Sequence, residues 1–358
     1  MSANQLSGLF ASAESGIINV LMTGGGAPGA AGIIRCLAMH NKIRIIAADK
    51  NEQAAGRYLA HDFVKIPAAD DPSFIFALLS ICREKNIHVL MPLVTRELIP
   101  LAAHRKDFEM AGAQLLVSSV ESLEIAICKS RLYEFLQWRG IPVPAFQVVE
   151  NAAQFSEAIS ALGYPEKTVC FKPAVSNGSR GFRILDASMD ESDLLFNYKP
   201  SVTYMRQADA ERILSAGPFP ELLISEYLPG PEFSVDCLCR QGETILAVPR
   251  RRTKMINGIS VEGLFEEQPA ITDYCRTIIK ELRLDGNIGI QVKQASNGQY
   301  LLLEINPRVQ GTISAALGAG INLPLLAVKQ ALDLPVAPEE LQVKWGTRFI
   351  RFWDEVFY

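Results

Sequence analysis

The sequence predicts a doubly wound α/β N-terminal domain followed by an α+β region. Three observations lead there. Apolar strands alternate with helix-spaced segments through the first third of the chain. The first of those strands runs into a glycine-rich turn. Beyond Pro142-Val-Pro144 short strands follow one another across loops and end in an Asn297-Gly298 hairpin signal. Alternating strands and helices favour a parallel sheet covered on both faces, whereas hairpin-linked strands build an antiparallel one.

Each element has a local reason. Residues 17–22 (Ile-Ile-Asn-Val-Leu-Met) are a short buried strand, residues 23–32 a turn, and residues 33–39 an apolar helix. Residues 43–49 and 89–92 read as strands, residues 74–84 as a helix between them, and residues 115–117 as a further strand. Ser118-Ser-Val-Glu121 has the form of a capping box and opens a helix to about Arg139, stopped by Gly140 and Pro142. Asn151-Ala-Ala-Gln154 starts another helix. Strands are predicted at 168–172, 182–185, 222–227, 232–239, 244–250, 288–293 and 300–305, and a helix at 269–282. The expected division is a domain over 1–118 and a second region over 119–358, the latter splitting into subdomains at about 142–228 and 229–358. The aromatic segment 343–358 is expected to pack back as a strand.

Composition narrows the function. In 358 residues, 49% are hydrophobic and 21% charged, an ordinary globular balance. The 35 basic and 39 acidic residues give a net charge of −4, so no basic excess points to nucleic acid as a partner. Two uncharged windows, 15–34 and 309–328, are too rich in glycine, proline and amides to be membrane spans, and the N-terminus lacks a signal-peptide pattern, so the expected location is the cytoplasm. The seven cysteines form no C-x-x-C pair and read as buried thiols in a reducing compartment. All four histidines, His40, His61, His88 and His104, precede residue 105, so chemistry in the remaining two-thirds runs without imidazole.

Four motifs carry chemistry. Gly24-Gly25-Gly26-Ala27-Pro28-Gly29 fits a dinucleotide turn, with Asp49 at the end of the next strand, but it equally fits any tight strand-to-helix turn. Lys172 precedes the small-residue loop 173–181, which contains Ser176, Gly178 and Ser179; such a loop can cradle phosphate or be a surface hairpin. Glu226-Tyr-Leu228-Pro-Gly-Pro-Glu232 places two carboxylates on either side of a Pro-Gly turn. The last motif is the sharpest. Gln291, then Glu304-Ile-Asn306-Pro-Arg308, bring a carboxylate and two amides towards a guanidinium, hard oxygen donors of the kind Mg²⁺ takes alongside phosphate. An arginine there suits developing phosphoryl charge.

The order Lys129, Lys172 and its loop, Glu226 and Glu232, Gln291, then Glu304 to Arg308 resembles the ATP-grasp superfamily, and within it the branch typified by the large subunit of carbamoyl-phosphate synthetase. The resemblance runs from the Gly24 turn to about Leu334 and includes Met91-Pro-Leu-Val-Thr-Arg-Glu97. It implies an ATP-grasp fold in which two subdomains clamp ATP behind a pre-ATP-grasp domain. It assigns Lys129, Lys172, Ser176, Gly178, Ser179, Glu226, Leu228 and Glu232 to ATP, and Gln291, Glu304 and Asn306 to Mg²⁺ (or Mn²⁺). Arg308 and Lys172 would serve the transferred phosphoryl group, and Arg250, in the run Arg250-Arg251-Arg252, the substrate carboxylate; that run also fits a solvated hairpin end. Thr312 and Ser314 are weaker candidates for the acceptor pocket.

The implied reaction is ADP-forming ligation of a small carboxylate to an amine through an acyl phosphate, in a protein that would commonly be a homodimer. A carbamate or carboxyphosphate-forming enzyme keeps the fold but changes the chemistry. An NAD(P)-dependent oxidoreductase using Gly24–Gly29 and Asp49 leaves the two acidic motifs unexplained, and a non-catalytic nucleotide-binding subunit leaves the lysines and Arg308 without work.

Overall fold

The computed structural model describes residues 16–176, 178, 180–197, 203–256 and 258–358. The chain forms two compact units: one takes Met1–Glu124, Phe233–Gln291 and Ile305–Tyr358, the other Ile125–Glu232 and Val292–Glu304.

The first unit opens with five parallel strands, β1 (Ile18–Thr23), β2 (Ile43–Asp49), β3 (Asp62–Lys65), β4 (Val89–Pro92) and β5 (Gln114–Leu115), in the order β3-β2-β1-β4-β5. The order reverses at β1, the doubly wound pattern expected. Val20, Leu21, Met22, Ile45 and Val89 are fully buried, because both faces of the sheet are covered. Helix Ala30–Ala38 presents Ile33, Ile34 and Leu37 to it. One apolar cluster extends from these strands to Val248, Phe265 and Ile321, so the parallel sheet and the unit's antiparallel strands share a core.

In the second unit, β6 (Phe146–Val149), β7 (Val169–Pro173), β8 (Arg183–Leu185) and β9 (Leu222–Glu226) form an antiparallel sheet in the order β6-β9-β7-β8. Its core holds Phe155 and Phe171, ring edge against face at 5.2 Å, with Val169, Leu222 and Ile224. Helix Ala152–Ala161 is capped as expected: the Asn151 side chain accepts from Gln154 N at 3.0 Å.

The later strands are β10 (Glu232–Arg240), β11 (Glu243–Ile256), β12 (Ile259–Phe265), β13 (Gly286–Gln294), β14 (Tyr300–Asn306) and β15 (Arg348–Ile350). They form a six-stranded sheet in the order β14-β13-β10-β11-β12-β15. The Asn297-Gly298 turn is present, with Gly298 at φ +86° and Gln299 N donating to the Asn297 side chain. The C-terminal segment packs back as expected through β15 on β12, but Phe352, Trp353, Phe357 and Tyr358 beyond it are exposed.

Two expectations need correction. The helix predicted from Ser118 to Arg139 is two helices, Val120–Ile127 and Lys129–Trp138. Cys128 between them is extended (φ −93°, ψ 111°), and Lys129 N donates to Ala174 O at 2.8 Å instead of continuing a helix. The cap also lies one residue later than the predicted box: Ser119 Oγ accepts from Ser122 N, while Ser118 Oγ accepts from Asp285 N. No helix among the described residues is long and apolar enough to cross a membrane.

Candidate functional site

In the second unit, Lys129 begins a helix and Lys172 sits near the end of β7. Lys129 is only 5% exposed; its Nζ donates to Ser176 O at 2.7 Å and lies 3.9 Å from Glu304 Oε2. Lys172 is partly buried and donates to Leu303 O at 2.8 Å, the residue before Glu304, with its Nζ 5.5 Å from the Tyr133 ring centre. Tyr133 was missed by sequence reasoning, since nothing in helix spacing marks it. Its hydroxyl donates to Leu302 O at 2.6 Å and so fixes the same stretch of β14. Burial pushes both lysine pKa values down, and the Glu304 charge partly opposes this. Two ammonium groups are therefore drawn from water around one carboxylate, a setting that favours anionic ligands.

The loop after β7 is organised by glycine at one decisive position. Gly181 has φ +78°, and a Cβ there would come within 2.5 Å of Pro173 Cδ. Ser176 turns its carbonyl and hydroxyl to Lys129, and Gly178 is exposed at φ +64°. Ser179 lies outside the described residues. Glu226, expected to meet ATP, accepts from Ala145 N at 2.8 Å, so one of its oxygens secures β6. Leu228 is buried with Ala295 and Leu301. The Pro-Gly turn between the acids is clamped by Gly230 N donating to Gln294 O and Gln294 N donating to Pro231 O. Glu232 follows, and its charge acts on Lys172.

In the first unit, Arg308 leaves the end of β14. Its Nε donates to Thr95 Oγ1 at 3.1 Å and its Nη2 to Asn306 Oδ1 at 3.2 Å. Thr95 follows the parallel strand β4, so two distant parts of the sequence orient this guanidinium. Gln291 Oε1 accepts from Arg252 Nη1 at 3.3 Å. Gln291 and Asn306 thus present amide oxygens, donors of the hard kind a divalent cation takes. Among the described residues, no group of three or more His, Cys, Asp or Glu side chains is placed to hold a metal. The donors present suit Mg²⁺ in the way it usually binds, with few protein ligands and phosphate oxygens beside them.

Arg250 is not on a solvated hairpin end. Its side chain is 0% exposed, its Nη2 lies 3.4 Å from Asp236 Oδ2, and its guanidinium is 5.4 Å from the Phe349 ring centre. Burial works against its charge and Asp236 supports it. Sequence reasoning missed Asp236 and Arg351. Only the alternation of Arg250 and Arg252 along one strand could have signalled a shared face. Thr312 is buried and its hydroxyl accepts from Arg351, whereas Ser314 packs where a Gly32 Cβ would stand, 2.3 Å from its Oγ.

The Gly24–Gly29 turn is spent on packing. Gly26 N donates to Asp49 Oδ2 and Asn51 N to Asp49 Oδ1, so the acid serves its own turn. A Cβ at Gly29 would lie 2.4 Å from Gly311 Cα. The space and the carboxylate that a dinucleotide needs are used by the protein, which removes the support for an oxidoreductase.

A parallel α/β domain, a small antiparallel unit with paired lysines, and a strand leading into Glu-Ile-Asn-Pro-Arg are the parts that known proteins share. Residues 218–349 match the family model described as ATP-grasp in the biosynthetic pathway with Ter operon, and residues 20–116 match the PylC-like N-terminal domain. Residues 218–349 thus carry the ATP-grasp pattern, and the chain has the fold of the ATP-grasp ligases. N5-carboxyaminoimidazole synthetase from Staphylococcus aureus, complexed with ADP, is similar at TM-score 0.65 and 16% identity, over 89% of this chain and 78% of that one. Biotin carboxylase from Campylobacter jejuni gives 0.65 and 17%, over 92% and 74%. L-amino acid ligase from Bacillus licheniformis gives 0.63 and 15%, over 91% and 77%.

Proposed function

We propose that the protein is an ATP-dependent, ADP-forming ligase that joins a small carboxylate to an amine through an acyl phosphate. The observation that carries this reading is the Lys129–Lys172–Glu304 group: one buried and one partly buried ammonium beside one carboxylate, suited to the phosphate oxygens of ATP. In this reading Lys129 and Lys172 hold phosphate beneath the loop bearing Ser176, Gly178 and Ser179. Glu226 and the backbone at Leu228 meet the adenine, and Glu232 the ribose. Glu304, Asn306 and Gln291 hold Mg²⁺ or Mn²⁺, which neutralises phosphate charge when bound.

A carboxylate oxygen of the substrate bonds to the γ-phosphorus as the bond to the bridging oxygen breaks and ADP leaves. The amine nitrogen then attacks the acyl carbon, inorganic phosphate leaves, and the nitrogen loses a proton. In this reading Arg308, which donates to Thr95 and Asn306, stabilises the transferred phosphoryl charge. Catalysis by position and charge uses no histidine, consistent with their absence after His104. Seven free thiols, six of them buried, suit the reducing cytoplasm where this reading places the protein.

The test is ADP and phosphate release from ATP–Mg²⁺ across amino acids and small carboxylates, singly and in pairs. Release that needs one carboxylate and one amine is the expected result. Release with bicarbonate alone would move the chemistry to carboxyphosphate, and protection against unfolding by NADH but not by ATP–Mg²⁺ would overturn the assignment.

A further inference from the structure

Three guanidinium groups meet on one face of the antiparallel sheet in the first unit. Arg250 and Arg252 alternate along β11. Across β12 they oppose Phe265 and Gly263, and Gly263 in turn opposes Phe349 of β15. Gly263 is required there, because a Cβ would come within 2.5 Å of the Phe349 ring. The flat ring lies against Arg250, and Arg351 follows two residues on, facing the same side. Arg252 is held by Ser260 Oγ and Gln291 Oε1. Arg351 donates to Thr312 Oγ1 at 3.5 Å and to Pro28 O at 3.2 Å, both neutral acceptors.

Asp236 pairs with the most deeply buried of the three, Arg250, and does so incompletely. Arg250 Nε and Nη1 and Asp236 Oδ1 are buried with no hydrogen-bond partner. An arginine at 0% exposure with two unused donor atoms is costly, and nearby like charges add to that cost. An oxyanion held nearby by the partly exposed Arg252 and Arg351 would offset part of that charge cost. Arg351 also lies beyond residue 349, where the match to the ATP-grasp family model ends.

We propose that this face is the acceptor subsite and that the carboxylate substrate carries a second oxyanion, a further carboxylate or a phosphate, gripped by Arg351 and Arg252 over Arg250. The proposal rests on the ligase reading for its acceptor, and Arg351 is its specificity-determining residue. Arg250 is the buried support beneath.

The experiment measures binding without nucleotide, so that it reads independently of turnover. Thermal unfolding of the full chain is followed against succinate, 3-phosphoglycerate and acetate. At least one of the first two is expected to protect at concentrations where acetate does not. Preference for succinate assigns a dicarboxylate, and preference for 3-phosphoglycerate a phosphorylated acid. Arg351→Gln, at a partly exposed position, is expected to raise the half-protecting concentration roughly tenfold or more, the effect of losing a charge-assisted hydrogen bond, while protection by ATP–Mg²⁺ stays unchanged. Equal protection by acetate, no protection by either dianion, or protection that survives Arg351→Gln overturns the proposal. A lack of ADP release with every substrate pair, with dianion protection intact, would instead sink the ligase reading alone.

Discussion

Replacing Glu97 by glutamine tests how the first unit treats its buried carboxyl. Glu97 is 6% exposed, and its Oε2 accepts from Thr23 Oγ1 at 2.5 Å at the end of β1. Burial raises its pKa from 4.5 to about 7, the Thr23 hydroxyl lowers it somewhat, and the charge of Asp49 adds to the rise. The folded state therefore holds this proton more tightly than the unfolded state. Between the two values the folded state binds one proton more, so stability falls as pH rises and levels off above about 7. The difference of roughly 2.5 units corresponds to about 3 kcal/mol. Glutamine keeps the shape without the titration. Calorimetry of wild type and Glu97→Gln at about pH 5 and about pH 8 should show the variant gaining relative stability at the higher pH. With about 2–4 °C per kcal/mol for a unit of this size, the relative Tm should move by roughly 6–12 °C. A difference between the two proteins that is flat with pH would refute the argument.

Two further outcomes follow from the site. Glu304→Gln removes the one carboxylate of the proposed metal set and should cut ADP release at least about 100-fold while circular dichroism stays that of the wild type; full activity would remove the metal assignment. Arg308→Ala should lower kcat by roughly 100-fold with ATP affinity changed less than about threefold, and equal losses of both would move Arg308 out of the phosphoryl-transfer step.

Much of this was legible because local pattern and tertiary demand agreed. The amphipathic helix Pro269–Leu282 folds within the bounds its proline start and buried Ile271, Ile278 and Ile279 dictate. Reading failed where a distant partner decided. Cys128 lies in a helix by spacing, yet the bond from Lys129 N to Ala174 O breaks that helix and turns the lysine towards Ser176. The strand Ile259–Phe265 was missed because Gly263 interrupts its pattern, and the need for Gly263 comes from the Phe349 ring, far along the chain. The glycine turn carried a plausible fingerprint, but only the packing against Gly311 shows what the glycines are for.

Charge was the least legible property. The chain as a whole carries −4, which gives no sign of where anions would bind. Each unit nevertheless gathers partly or wholly buried cations: Lys129 and Lys172 beside Glu304 in one, Arg250 on Asp236 with Arg252 and Arg351 on the same face in the other. Net charge averages over an exposed surface where acids dominate, whereas recognition depends on charges whose water has been removed. Burying like charges together lowers stability unless something neutralises them. A protein that gathers them twice is poised to be stabilised by anions, and ATP with a dianionic acid would supply one to each unit.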